Sequence, residues 1–389
     1  MKDLKSASFI SWFIGLTAVL TTAFFYTPAL DPFNLPKAVF VIAIGFGALL
    51  GLLPTLNGFD RRRWIAAIPV FLFLVVMTLS AIAGTDNTRR LLFGAYSRAT
   101  GLLPYIGLTL IAIALLFAFN AKSYIAIYSS LGIVAGIETI YGLLQLANLD
   151  PIKWVNGYNR ILGTVGNPNF MSAVLGFTAV AMVGVAASAN NRRYLRLSAL
   201  VVAPIELFLG LKSDSVQGPI ITLFGVAIVL VGFTGARIYS ARAGWLAAVV
   251  LASSPMWVIS GHFNSLDMGL SSFLVAALCS LLLAQNAQTK KSCRHWMWVC
   301  WIMMALATLS KGVIGAAIPA MVLVAYSISA WDWKVWGRLQ LFSGAILFLA
   351  ITAPWFVLVA QRNPEFLEFF FIHEHLQRFT QEAHSRTGP

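Results

Sequence analysis

Long apolar runs separated by short polar stretches recur along the whole of this sequence. About thirteen can be marked. The first seven are Ser8–Tyr26, Ala38–Leu53, Trp64–Ala83, Leu102–Phe119, Tyr124–Leu146, Phe170–Ala187 and Leu197–Leu211. The rest are Pro219–Phe233, Gly244–Ser260, Met268–Ala284, Trp296–Leu309, Val313–Ile328 and Leu341–Ala360. A helix that crosses a bilayer needs roughly 17–25 such residues, and some of these runs are shorter. They are continuous and lack the alternation of barrel strands, so they predict helices. The predicted fold is all-α, a polytopic integral membrane protein. Lys2 and Lys5 precede the first run and no small-residue cleavage site stands out, so a retained helix is expected rather than a signal peptide.

Composition agrees with that pattern. Hydrophobic residues make up 59% of the chain, charged residues 11%, and the mean hydropathy is +0.81. A soluble domain carries about 25% charged residues. The formal net charge of +13 raises nucleic acid as a partner, but the distribution of the charge argues against it. One alternate set of loops, from Lys2 to Arg338, holds 16 of the 27 basic residues and only Asp3, Asp60 and Asp332 as acids. The positive-inside rule makes that set cytoplasmic, which puts the N-terminus inside and the final loop outside.

Cys279, Cys293 and Cys300 lie in or beside apolar runs, with no disulfide frame and no zinc spacing. There is no Walker loop and no dinucleotide fingerprint, so the sequence points to no nucleotide cofactor and no metal.

Polar groups near a bilayer are costly and tend to mark function. Five stretches on the predicted outer side qualify. Thr27–Lys37 is a Pro-punctuated turn with Asp31. Gly84–Gly101 carries Arg89, Arg90 and Arg98, whose guanidinium forks suit phosphate or pyrophosphate; a solvated loop near lipid headgroups is the alternative. Val155–Phe170 carries Arg160 and a Gly166-Asn167-Pro168-Asn169 turn, read as a helix cap that could also receive an anion. Leu211–Gly218 holds Lys212 and Asp214, which could simply pair with each other. In Ile259–Leu270, His262 and Asp267 flank the entry to a span, where an aspartate serves the helix dipole, catalysis or a metal. Within the runs, Glu138 and Glu206 are the only acids; each is either protonated and hydrogen bonded or paired with an arginine reaching inward.

Two resemblances follow from motifs. "DPFNLPK" at Asp31–Lys37, "LLFGAYSRATGLL" at Leu91–Leu103, "YGLLQ" at Tyr141–Gln145 and "ILGTVGNPNFMSAVL" at Ile161–Leu175 resemble the O-antigen ligase and polymerase family. That family moves glycans from a polyprenyl diphosphate carrier, which would make Arg89, Arg90, Arg98 and Arg160 a diphosphate clamp. The large outer loop bearing the family's catalytic histidine has no counterpart here.

From about Thr234, "HFNSLDMGLSSFLVAAL", "LATLSKGVIGAAIPAMVLV", "TAPWFVLVAQRNPEFLEFFFIHEHLQRF" and "HSRTGP" resemble glycosyltransferase superfamily C. The nearest members are protein O-mannosyltransferases and lipid A aminoarabinose transferases. The resemblance implies a polyprenyl-phosphate sugar donor as co-substrate on the outer side of a bacterial inner membrane, with membrane lipid as the other partner. It makes Asp267 the second acidic residue, and Lys311, His375 and Arg378 the donor-phosphate group. The Asp-Glu pair with which the family's first outer loop begins, source of its general base, has no counterpart.

The expected organisation is thus an O-antigen ligase-like region over 1–233 and a glycosyltransferase-like region over 234–389, joined near "FTGARIYSARAG". Members of the second family continue past "RTGP", so a shortened outer loop is expected. The expected function is membrane glycosyl transfer from a lipid-linked sugar. The alternatives are diphosphate-glycan ligation, a transporter with Glu138 and Glu206 as substrate or proton contacts, and an inserted hybrid without turnover.

Overall fold

A computed structural model of the 389-residue chain describes residues 2–366 apart from 30, 54–60, 85–86, 96–97, 119–120, 155–160, 189–190, 256, 258–265 and 364. The described residues are helical, without strands. The chain divides into two compact units, Met1–Thr222 and Leu223–Pro389, with the division inside one helix.

The first unit contains α1 (Lys2–Ala23), α2 (Asn34–Leu52), α3 (Arg61–Gly84), the short α4 (Thr88–Phe93), α5 (Leu102–Ala118), α6 (Ala121–Leu146), α7 (Pro168–Ala187) and α8 (Arg193–Lys212). Helix α9 (Gln217–Ile238) crosses the division. The second unit continues with α10 (Ala241–Ser253), α11 (Leu266–Gln285), α12 (Lys290–Lys311) and α13 (Ile314–Ala330). A 3₁₀ turn (Trp333–Arg338) and α14 (Leu341–Arg362) complete it. Each apolar run of the sequence overlaps one of these helices. Among the described residues, eight helices are long and apolar enough to cross a membrane. The protein is a multi-pass membrane protein.

Small residues set the close approaches in the first unit. A Cβ on Gly45 of α2 would stand 2.5 Å from the Gly107 carbonyl oxygen of α5, and one on Gly107 would stand 2.7 Å from that of Val41. Lipid supplies no hydrophobic drive between helices, so such backbone proximity and its dispersion contacts carry the packing. Gly107→Leu is therefore expected to separate α2 from α5 at a cost of about 1–3 kcal/mol, read as a lower melting temperature in detergent. Polar contacts add to this: Ser11 and Ser123 hydroxyls bond at 2.6 Å between α1 and α6, and Ser172 of α7 accepts from the Gly218 amide at 2.9 Å.

In the second unit, α12 opens on Lys290, Lys291, Arg294 and His295, and is far less apolar than its neighbours. It holds its place by burial. Met297, Cys300 and Met304 face Ala277, Leu281 and Ala284 of α11, together with Leu323 and Leu339. Buried indole donors usually find acceptors. Trp301 Nε1 donates to the Leu339 carbonyl at 2.9 Å, Trp336 Nε1 to the Ser327 hydroxyl at 2.9 Å, and Trp298 Nε1 to the Ser343 hydroxyl at 3.2 Å.

Candidate functional site

In the second unit, Lys311 and the backbone of Asp267 are the predicted site positions that the structure describes. Helix α12 ends at Lys311, and Gly312 stops it with φ +78, its amide donating to the Thr308 carbonyl at 2.8 Å. That left-handed residue is why the Lys-Gly pair forms a turn. Lys311 is exposed. A Cβ on Gly269, in the first turn of α11, would lie 3.5 Å from Ser310 Oγ at the end of α12. The backbone of Asp267, two residues before Gly269, is thus brought beside the Lys-Gly turn across 44 residues of sequence (311 minus 267).

Helix α14 runs parallel to α12, because Trp298 meets Ser343 and Trp301 stacks edge-on against Phe348 at 6.3 Å. Its C-terminal end, from which the tail departs, therefore shares the Lys311 end. There Phe366 folds back onto Trp355 at 5.8 Å and Phe356 at 6.2 Å. His375 and Arg378 lie outside the described residues, as do His262 and the side chain of Asp267.

The first unit holds a second polar concentration, at the predicted outer ends of α2, α6 and α7. Glu138 of α6 is fully buried. Its Oε2 accepts from the Thr164 amide at 3.1 Å, and its Oε1 from the Thr164 hydroxyl. Lys37, half-buried and within electrostatic range of Glu138 and Asp31, donates to the carbonyls of Thr22 and Thr164, both at 3.1 Å. Gln145, one turn further along α6 from Tyr141, is also buried. Its Oε1 accepts from the amides of Leu162 and Gly163 at 3.0 and 2.8 Å, and its Nε2 donates to Asp150 at 2.8 Å. Tyr141 donates to the same aspartate at 3.1 Å and receives from Trp154 Nε1 at 3.2 Å.

These groups hold the segment 161–166 that leads into α7. Gly163 and Gly166 take φ of +59 and +76, and a Cβ on Gly166 would enter the Phe33 ring. Asn167 caps α7 by accepting from the Asn169 amide at 2.9 Å, with Pro168 in the first turn. The Gly-Asn-Pro-Asn stretch is therefore a helix cap. Asp31 holds the turn that leads into α2, accepting from the Phe33 and Asn34 amides at 3.2 and 2.9 Å.

The partners of the two buried acids are hydroxyls and, for Glu138, also the Thr164 amide and a nearby lysine; no arginine bond to them is seen among the described residues. Glu206 Oε1 receives the Thr178 hydroxyl at 2.5 Å, and its buried Oε2 has no hydrogen-bond partner among the described residues. Sequence reasoning missed Lys37, Gln145 and Thr164 as a set. Their presence inside the quoted motifs Asp31–Lys37, Tyr141–Gln145 and Ile161–Leu175 was the available signal.

Arg89, Arg90 and Arg98 are exposed, and Arg160 lies outside the described residues. Arg90 lines a cavity of about 370 Å³ with Ser80, Thr100 and Tyr105. The loop closing that cavity is pinned at Gly94, φ +84, where a Cβ would stand 2.5 Å from the amide nitrogens of both Thr100 and Gly101.

Comparison with known proteins adds to this geometry. Residues 216–370 match the dolichyl-phosphate-mannose-protein mannosyltransferase family. The undecaprenyl phosphate-alpha-4-amino-4-deoxy-L-arabinose arabinosyl transferase of Erwinia tasmaniensis is 30% identical over 172 residues, 42% of this chain and 30% of that protein. A Proteus mirabilis enzyme of the same name is 34% identical over 179 residues, 43% of this chain and 32% of that protein. Among solved structures, ArnT from Cupriavidus metallidurans bound to undecaprenyl phosphate aligns with TM-score 0.44 and 27% identity, over 66% of this chain and 45% of that one. The chain spans about a third of the length of the curated relatives it matches.

Proposed function

We propose that the chain is a membrane glycosyltransferase of the bacterial inner membrane, and that its second unit receives a sugar donor linked to polyprenyl phosphate on the outer side. The observation that carries this reading is the match of residues 216–370 to a mannosyltransferase family, seconded by relatives named for an undecaprenyl-phosphate-linked sugar. The placement of Lys311, the Asp267 backbone and the start of the tail at one end of the helices supports it.

In this reading an acceptor hydroxyl attacks the anomeric carbon of the sugar. The bond from that carbon to the phosphate oxygen breaks, and its electron pair stays on the departing phosphate. Lys311, His375 and Arg378 stabilise that charge, which is where fixed cations lower the barrier most. Asp267 supplies a carboxylate beside them. A second carboxylate must take the acceptor proton, and the matched motifs name no residue for it. Full chain reconstituted with a polyprenyl-phosphate-linked aminoarabinose and lipid A tests the reading. Sugar appearing on the acceptor supports it. Binding of the donor with no transfer by folded protein identifies an inserted hybrid without turnover.

A second reading concerns the first unit, where the region 1–233 would be an O-antigen ligase-like body joined to a transferase body over 234–389. The Arg90 cavity favours it, together with the buried polar network that fixes the segment 161–166. Arg89, Arg90, Arg98 and Arg160 would then clamp a diphosphate. Arg90→Gln is expected to slow use of an undecaprenyl-diphosphate glycan about tenfold while leaving monophosphate donors unaffected. A transporter role for Glu138 and Glu206 has less support, because Glu138 is spent on holding the Thr164 turn.

A further inference from the structure

Helices α6, α7 and α8 do not close on one another along their whole length. Where α7 passes into α8 they leave a mainly apolar groove of about 620 Å³. Glycines open it: a Cβ on Gly132 or Gly136 of α6, or on Gly184 of α7, would meet no neighbouring atom within 4 Å. Ala135, Met182 and Ala199 pack together along its inner side. One helical turn beyond, Thr178 and the fully buried Glu206 are hydrogen bonded at 2.5 Å, and the groove ends there. From Tyr124 to Gly136 helix α6 rises about 18 Å. That is close to the roughly 15 Å depth of hydrocarbon in one leaflet.

The open end is polar, and three arginines follow it closely in sequence. Tyr124, Ser188 and Asn191 line it, and Asn191 Nδ2 is fixed by the Val185 carbonyl at 3.0 Å. Arg196 Nε donates to the Ala186 carbonyl at 3.0 Å, which holds its guanidinium at the end of α7, one residue along the chain from the groove-lining Val185. Arg192 and Arg193 are exposed at the start of α8. No acidic residue occurs between Asp150 and Glu206, so nothing in this stretch of chain offsets the three arginines.

We infer that the groove is a binding site for an anionic glycerophospholipid of the surrounding leaflet. One acyl chain occupies the glycine-opened channel, and the phosphate meets Arg192, Arg193 and Arg196. A basic pocket between transmembrane helices suits an anionic headgroup, and the channel length suits the chain. This site is at the opposite ends of the helices from the Glu138 network and is independent of the transferase reading.

The test uses the full chain in nanodiscs of equal parts phosphatidylglycerol and phosphatidylcholine. After gentle extraction, retained lipid is counted by native mass spectrometry. One phosphatidylglycerol per chain is expected to stay bound in preference to phosphatidylcholine. Gly136→Leu, which fills the channel, is expected to abolish retention without unfolding the protein. Arg192→Gln, Arg193→Gln and Arg196→Gln together are expected to erase the preference, at about fivefold for each arginine. These side chains sit at a helix start, so this variant decides the matter even where Gly136→Leu fails to fold. Equal retention of the two lipids by the unaltered protein overturns the inference. So does unchanged phosphatidylglycerol preference in the arginine variant, or a dimer of the chain occupying the groove in place of lipid.

Discussion

Valine in place of Gly163 is expected to prevent the first unit from forming its native turn, a large effect on folding for one residue. Gly163 has φ +59, and a Cβ there would meet Met171 Sδ and come within 2.7 Å of Glu138 Oε2. A β-branched residue suffers strain in the left-handed region of about 1–3 kcal/mol. Overpacking against buried groups adds about 1–3 kcal/mol more. The displaced carboxylate also loses its bonds to Thr164, which leaves buried polar groups unmatched. The sum is comparable to the whole stability of many domains. Gly132→Ala supplies the contrast, since its Cβ meets open space and alanine favours a helix interior. Thermal unfolding in detergent reads both: the valine variant loses its cooperative transition, and the alanine variant melts at or slightly above the unaltered protein.

The second large effect is on transfer. If the donor phosphate is held as proposed, Lys311→Ala and Arg378→Ala each lower the rate by about 10²–10³, the typical loss when one fixed donor to developing charge is removed. Lys311 is exposed at a helix end, so its removal leaves the melting temperature nearly unchanged. The double variant is expected to lose little more than either single one, as groups acting together on one charge do. Initial rates with a polyprenyl-phosphate-linked sugar, alongside melting curves, separate this from a folding defect.

The apolar pattern made the helical membrane fold legible, because a helix in lipid must satisfy its backbone internally and shows as one long hydrophobic run. Helix starts were less legible. Helices α1, α8 and α12 begin at Lys2, Arg193 and Lys290, whereas the apolar runs begin at Ser8, Leu197 and Trp296. Hydropathy marks the hydrocarbon, while basic residues extend the helix into the headgroup layer, their stems along the apolar surface. In α12 the helix is further anchored by Thr289, whose hydroxyl accepts from the Ser292 amide at 3.2 Å.

The polar network around Glu138 was legible only as scattered motifs. Lys37 and Thr164 are separated by 127 residues and read singly as loop positions, yet they meet at 3.1 Å. No local period encodes such a meeting, since it depends on how α2, α6 and α7 pack. Lys311 was named from motif order, and Asp267 from that order and from its place at the entry to a span; what the fold adds is the Gly269–Ser310 approach that brings their backbones near each other. His375 and Arg378 belong to a stretch outside the described residues, so their role rests on the motif.

The most direct test of the central claim is equilibrium binding of undecaprenyl phosphate to the purified full chain, in a Gly136→Leu background so that the lipid groove does not contribute. Saturable binding that weakens about tenfold or more in Lys311→Ala and in Arg378→Ala is the expected result. Folded protein that binds no undecaprenyl phosphate, or binds it equally well with both cations removed, would contradict the account.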